Sequence, residues 1–164
     1  MMLQRKEAIT LSSFLKFLSF DPDERKIKIE NALAEISQEI TDVTPETANY
    51  HARKYIENKF SYFTNSYLQA FLTNQLAQSI TVKGDGPKLI ACLCCGYKTL
   101  EGIGWEICPV CFWEDDIREL HKISGANQMT LSEAKGNFKQ LGVMSEGVQK
   151  YLDPDRMIQY DKAE

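Results

Sequence analysis

The sequence predicts an α+β fold in which an N-terminal helical layer is followed by a small cysteine-bearing β module with C-terminal helices. Three observations carry this. Residues up to about 82 repeat apolar side chains at helical spacing behind proline-containing start signals. Lys83-Gly84-Asp85-Gly86-Pro87 then interrupts the pattern with two glycines and a proline. All five cysteines follow that interruption, at 92, 94, 95, 108 and 111. The expected organisation is a helical region over 1–82, a linker or turn over 83–87, a cysteine module with its following helix over 88–152, and a C-terminal tail over 153–164. A chain of 164 residues, 43% hydrophobic and 26% charged, suits one ordinary folded domain or two small ones.

In chain order, Ile9, Leu11, Phe14, Leu15 and Leu18 predict a short first helix. Asp21-Pro22-Asp23-Glu24 supplies an N-cap carboxylate, a proline at the first helical position and a glutamate at the third, so a second helix starts there. Ile29, Leu33, Ile36 and Ile40 form its apolar stripe, with Lys28, Glu35 and Glu39 on other faces. Thr44-Pro45-Glu46 repeats the start signal, and helical spacing runs on through Ala48, Ala52, Tyr55, Ile56, Tyr67, Phe71 and Leu72 to about Ser79, broken near Phe60–Phe63. Beyond the interruption, Leu89-Ile90-Ala91, Tyr97-Lys98-Thr99-Leu100 and Trp105-Glu106-Ile107 predict short strands joined by hairpins, with a turn at Glu101-Gly102. Thr130-Leu131-Ser132-Glu133 is a capping box, opening a helix with Leu131, Ala134, Phe138 and Leu141 on its apolar side and Gly142 at its end. A last short helix is expected over Ser145 to Leu152.

Charge narrows the function classes. Nineteen Lys and Arg against twenty-three Asp and Glu give a net charge of −4. Residues 1–88 balance at eleven of each sign, whereas residues 89–164 hold eight basic and twelve acidic side chains. An acidic cysteine half lacks the basic face of a nucleic-acid binder. Apolar runs such as Leu68 to Leu72 fall far short of the ~20 residues that cross a bilayer, and the N-terminal residues lack the apolar stretch of a secretory signal. The expectation is a cytoplasmic protein with no membrane partner.

Cys92-Leu93-Cys94-Cys95-Gly96 and Cys108-Pro109-Val110-Cys111 are two Cys-x-x-Cys pairs separated by twelve residues, the spacing of a zinc ribbon. A tight turn with Cys at its first and fourth positions presents two thiolates on one side, and two such turns facing each other complete a Zn²⁺ tetrahedron. Cys92, Cys95, Cys108 and Cys111 are the expected ligands, with Cys94 either a free thiol or a replacement for Cys92 or Cys95. Gly96 fits a turn that needs positive φ; Phe112 at the matching place makes the second knuckle look different from the first. Four protein ligands leave no open position, the mark of a structural zinc. A ribbon too small for a sufficient apolar core would depend on that ion, worth on the order of 10 kcal/mol.

At these residues the sequence resembles the cysteine-rich CPCC domain proteins of bacteria. The resemblance covers roughly 88–152: Cys92-Leu93-Cys94-Cys95-Gly96-Tyr97, Cys108-Pro109-Val110-Cys111-Phe112-Trp113-Glu114-Asp115-Asp116, Gly125-Ala126-Asn127, Thr130-Leu131-Ser132-Glu133-Ala134 and Asn137-Phe138. Leu93 stands where the family name implies proline. The resemblance implies a small bacterial zinc-binding module and no defined activity.

Trp113-Glu114-Asp115-Asp116 sets three carboxylates beside a ring. Beside a Zn(Cys)₄ site their expected role is a solvated acidic patch, able to bind a basic partner, or a cap on the next turn, ahead of acid–base work or a second cation. His51 and His121 read as ordinary surface or core residues, His121 replacing a ligand only if a cysteine fails. Tyr50, Tyr55, Tyr62, Phe63, Tyr67 and Phe71 read as core, with a surplus on the surface. The sequence holds no Gly-rich phosphate loop, no nucleophile elbow and no His-Glu-x-x-His helix, so an enzyme is not expected. The leading expectation is a non-catalytic zinc-binding protein-interaction module, in its most specific form an immunity protein that neutralises a basic interbacterial toxin domain. The alternatives are an accessory ribbon of nucleic-acid machinery and a redox or metal sensor using Cys94. The first of these is disfavoured by the knuckles, which offer Lys98, Arg118 and Lys122 against Glu101, Glu106, Glu114, Asp115, Asp116 and Glu119.

Overall fold

Two units make up the chain, Met1–Pro87 and Lys88–Glu164, in a computed structural model that describes residues 1–36 and 43–163. The fold is α+β, with helices in both units and small two-stranded sheets. No helix among the described residues is long and apolar enough to cross a membrane.

The first unit runs β1 (Met2–Gln4), α1 (Arg5–Ser19), α2 (Pro22–Glu35), α3 (Pro45–Ser61), α4 (Asn65–Leu76) and β2 (Thr81–Lys83). Helix α2 starts where the sequence places it: the Asp21 carboxylate accepts from the Glu24 N–H at 2.8 Å and Glu24 accepts from the Asp21 N–H at 3.2 Å. Thr44 caps α3 and Thr64 caps α4, which accounts for the break after Phe60. Of the stripe expected on α2, Leu33 is buried, and Ile36 lies just past the helix end and is exposed; Ile40 and Glu39 lie outside the described residues.

Helix α1 does not bury the face its large side chains suggest. Ala8, Ser12, Ser13 and Phe17 point inward, while Phe14 and Leu18 are exposed. Small residues let α1 lie close to α3, which buries Ala48 and Ala52 along with Ile56 and Phe60. The Arg5 guanidinium ties α1 to the α3–α4 corner, donating to the carbonyls of Ser61 (2.7 Å) and Phe63 (2.9 Å) and to Asn65 Oδ1 (2.6 Å). Phe63, Tyr67 and Phe71 of the aromatic set pack ring to ring with Phe60 at that corner, the core role expected of them, whereas Tyr50 is exposed. Strands β1 and β2 pair in parallel, Leu3 opposite Val82, a sheet the sequence reading did not anticipate.

The second unit runs β3 (Ile90–Ala91), β4 (Lys98–Leu100), α5 (Leu131–Leu141), a 3₁₀ helix (Glu146–Tyr151) and α6 (Arg156–Gln159). β3 and β4 pair antiparallel across the first knuckle. The strand expected at 105–107 pairs forward instead, Ile107 opposite Glu114 across the second knuckle. Glu101–Ile107 is therefore a loop rather than a hairpin. Its organiser is Glu106, whose carboxylate accepts from the N–H groups of Glu101 (2.7 Å), Gly102 (2.8 Å) and Ile103 (3.0 Å). Helix α5 carries the expected capping box at Thr130 and ends on Gly142 at φ +72°.

Candidate metal centre

Each Cys-x-x-Cys closes a knuckle through the same pair of backbone bonds. In the first, the Gly96 N–H donates to the Cys92 carbonyl at 2.9 Å and the Cys92 N–H to the Tyr97 carbonyl at 2.8 Å; in the second, Phe112 donates to Cys108 at 2.8 Å and Cys108 to Trp113 at 2.9 Å. Gly96 has φ +78° and Phe112 φ +72°. The knuckles are thus alike in backbone, correcting the difference inferred from side chains. The turn demands a left-handed residue at this place, and Phe112 adopts it at a cost of about 1–2 kcal/mol while its ring stacks on Tyr151 at 5.8 Å.

The facing knuckles bring the Sγ atoms of Cys92, Cys95, Cys108 and Cys111 within 4.8 Å of one another, all four residues buried. Cys92 lies 3.7 Å from Cys111 and Cys95 3.6 Å from Cys108, sulfur to sulfur. Two thiolates ~2.3 Å from a tetrahedral ion stand ~3.8 Å apart, so the cluster can hold a metal ion with little adjustment. The electrostatics point the same way. At Cys108 burial raises the pKa, but the thiols of Cys111, Cys92 and Cys95 and the Thr99 hydroxyl outweigh it and bring the pKa down. Thr99 Oγ1 lies 3.2 Å and the Val110 nitrogen 3.4 Å from its sulfur. Cys95 and Cys111 move upward, each mainly through its hydrogen bond with Cys108. Cysteines ligate metals as thiolates, so an ion bound at the cluster would take the place of their protons.

Cys94 is buried but outside this group, on a cleft it shares with Tyr97, Lys135, Phe138 and Lys162. His121 is exposed and also outside it.

The acidic string behaves differently from a free surface. Trp113, named from sequence with the partner-binding residues, is fully buried, and that assignment is corrected: its ring fills the core beside the cysteines, with Leu100, Val110 and Leu131. Asp115 is also buried, and Glu114 and Asp116 are half-buried. The Asp116 carboxylate accepts from the Ser124 hydroxyl at 2.8 Å, the Ala126 N–H at 3.2 Å and Asn127 Nδ2 at 3.3 Å, so it caps the 124–127 loop. Asn127 in turn exchanges two 2.9 Å bonds with the Glu114 backbone. Of the two roles expected for the string, the turn cap is the one Asp116 performs.

The segment expected as a tail supports both knuckles. Arg156 Nε donates to the Val110 carbonyl at 2.9 Å, inside the second knuckle, and its guanidinium reaches the Gly142 carbonyl at 3.3 Å. Ala163 donates to the Gly96 carbonyl at 2.8 Å, and Lys98 to that of Asp161 at 2.8 Å. Sequence reasoning missed these residues because a single arginine and an extended strand of polar residues carry no periodic signal.

The comparison with known families bears on this unit alone. Residues 90–157 match the cysteine-rich CPCC family. The CPCC segment thus holds all four clustered cysteines, α5 and the start of α6, and covers less than half of the chain. Leu93 in place of proline leaves the first knuckle's closing bonds intact. No curated protein and no solved structure matches the chain.

Proposed function

We propose that the CPCC segment is a non-catalytic module built around a structural zinc ion and that it serves protein–protein interaction. The observation that supports the zinc reading is the closed set of four buried sulfurs. Cys92, Cys95, Cys108 and Cys111 would fill the tetrahedron, leaving no position for water or substrate; bound there, zinc would supply cohesion rather than Lewis-acid chemistry. A sulfur tetrahedron also suits iron, so the test must tell metals apart. Elemental analysis of gently purified protein is expected to give one zinc per chain and a colourless solution, with native thiol titration finding at most the Cys94 thiol reactive. Iron with visible absorption, or a metal-free protein with five reactive thiols, would overturn the reading.

Support for the interaction role is the acidic excess of residues 89–164, twelve acidic against eight basic side chains, to which a Zn(Cys)₄ centre would add about two negative charges. Charge of one sign steers and selects partners of the other. In its most specific form the module is an immunity protein covering a basic toxin domain, and saturable binding to such a domain, weakened by salt, is the measurement that decides it.

A further inference from the structure

Large apolar side chains stand in water on the loop between the knuckles. Ile103 is 79% exposed, Trp105 72% and Ile107 51%. The loop that carries them is tightly held. Glu106 gathers three of its N–H groups, the Trp105 N–H donates to the Asp115 carbonyl at 3.0 Å, and Ile90 lies against Gly102. Gly102 and Gly104 have positive φ, and so does Trp105, at +59°. A tryptophan in the left-handed region costs about 1–2 kcal/mol, and such strain gathers at working sites. Exposed apolar groups on a pre-ordered loop bind with little further loss of freedom, and tryptophan is among the side chains that dominate interface energies.

The charge around the loop selects the occupant. Between Lys98 and Arg118 the chain has five acidic residues and no basic one. Asp115 is buried and Asp116 caps the 124–127 loop, which leaves Glu101, Glu106 and Glu114 at least partly exposed around the loop, and Glu114 is the cross-strand partner of Ile107. A second copy docked by the same surface about a two-fold axis would set these carboxylates against one another. An anionic bilayer would be repelled likewise. We propose that Ile103, Trp105 and Ile107 form the docking surface for a basic protein, which seats the Trp105 ring in an apolar pocket and meets the surrounding carboxylates with Lys and Arg. The proposal rests on the interaction reading above and names the surface and partner chemistry.

The test uses the full metal-loaded chain. A phage-displayed library of protein fragments from the genome that encodes it is selected in parallel on wild type, Trp105→Ala and Ile103→Ala, and recovered fragments are titrated by fluorescence anisotropy. The expected fragments are net basic, bind wild type roughly tenfold or more tighter than Trp105→Ala, and weaken with added salt. Because both side chains are exposed, unchanged metal content and buried Trp113 emission confirm that the variants fold. Fragments that bind both variants as well as wild type would overturn this surface and leave the interaction reading standing; recovery of none would overturn both. A dimer in sedimentation equilibrium that Trp105→Ala dissolves would assign the surface to a second copy, and Trp105-dependent binding to phosphatidylcholine vesicles would assign it to lipid; either overturns the proposal.

Discussion

Met1–Pro87 and Lys88–Glu164 are held together by different materials. The first unit buries Leu33, Ile56, Phe60, Leu68, Leu72 and Ile80 between helices, an ordinary apolar core whose strength grows with the area it removes from water. In the second, five of the eleven residues of the core cluster are cysteines, and Trp113, Leu100, Val110 and Leu131 pack around them. A core centred on sulfur has less cohesion of its own, because cysteines remove less apolar area from water than leucines do. On the zinc reading, an ion held by the four sulfurs would supply the missing cohesion. The first unit's fold is therefore set by its apolar residues, and on the zinc reading proposed above the second's would be conditional on a bound ion.

The largest effect that would break this comparison is at Cys108. On the zinc reading, its replacement by serine, or removal of the metal by a chelator, would take away coordination worth up to about 10 kcal/mol, which exceeds what so small an apolar remainder can offset. The expected outcome is loss of the second unit alone: in a Trp105→Phe background, Trp113 emission moves to that of a water-exposed ring while the far-UV signal of α1–α4 persists. Trp113 staying buried in the metal-free protein would show that the sulfur core stands unaided. A step smaller is Leu72→Ala in α4, a fully buried side chain, expected to cost the first unit about 2–5 kcal/mol. Its thermal transition should fall while metal content and Trp113 emission hold. Metal lost together with the helices would mean that the two units are coupled.

The same contrast explains what could be read from the sequence. The cysteine cluster was legible because a tetrahedral metal site would fix both residue type and spacing, so two Cys-x-x-Cys turns pick out the four sulfurs that the fold brings together. Helix starts at Asp21, Thr44 and Thr130 and the stop at Gly142 were legible because a cap is a local interaction between residues three apart. What failed were features whose partner is distant in sequence and carries no fixed spacing. The inward face of α1 is chosen by how closely α3 can approach, which favours Ala8 and Ser12 over Phe14 and Leu18. The β1–β2 pair joins three-residue strands from opposite ends of the unit, too short for alternation to show. Trp113 looked like a surface anchor beside three carboxylates, yet its ring is buried beside the cysteines, and of its acidic neighbours the Asp116 carboxylate is spent on the 124–127 loop.

The smallest effect separates the units by their response to acid. Glu57 on α3 accepts from Lys54 Nζ at 2.6 Å and from the Thr10 hydroxyl of α1 at 2.6 Å. Those hydrogen bonds, that of Lys54 first, hold its pKa below the ordinary carboxylate value, against a smaller upward push from burial. The folded state therefore binds its proton less readily than the unfolded chain does. The stabilisation is complete at neutral pH and is lost as pH falls through the ordinary carboxylate value to the lower one of the folded state. Glu57→Gln keeps the shape of the side chain but cannot titrate, so the thermal transition of α1–α4 should fall less steeply across that range than in wild type. On the zinc reading the cysteine unit would meet acid by another route, protonation of its thiolates and release of the ion, which Glu57→Gln would leave untouched. Identical slopes in variant and wild type would remove Glu57 as a source of the helical unit's acid sensitivity, and a change in metal release would show that the two routes are joined.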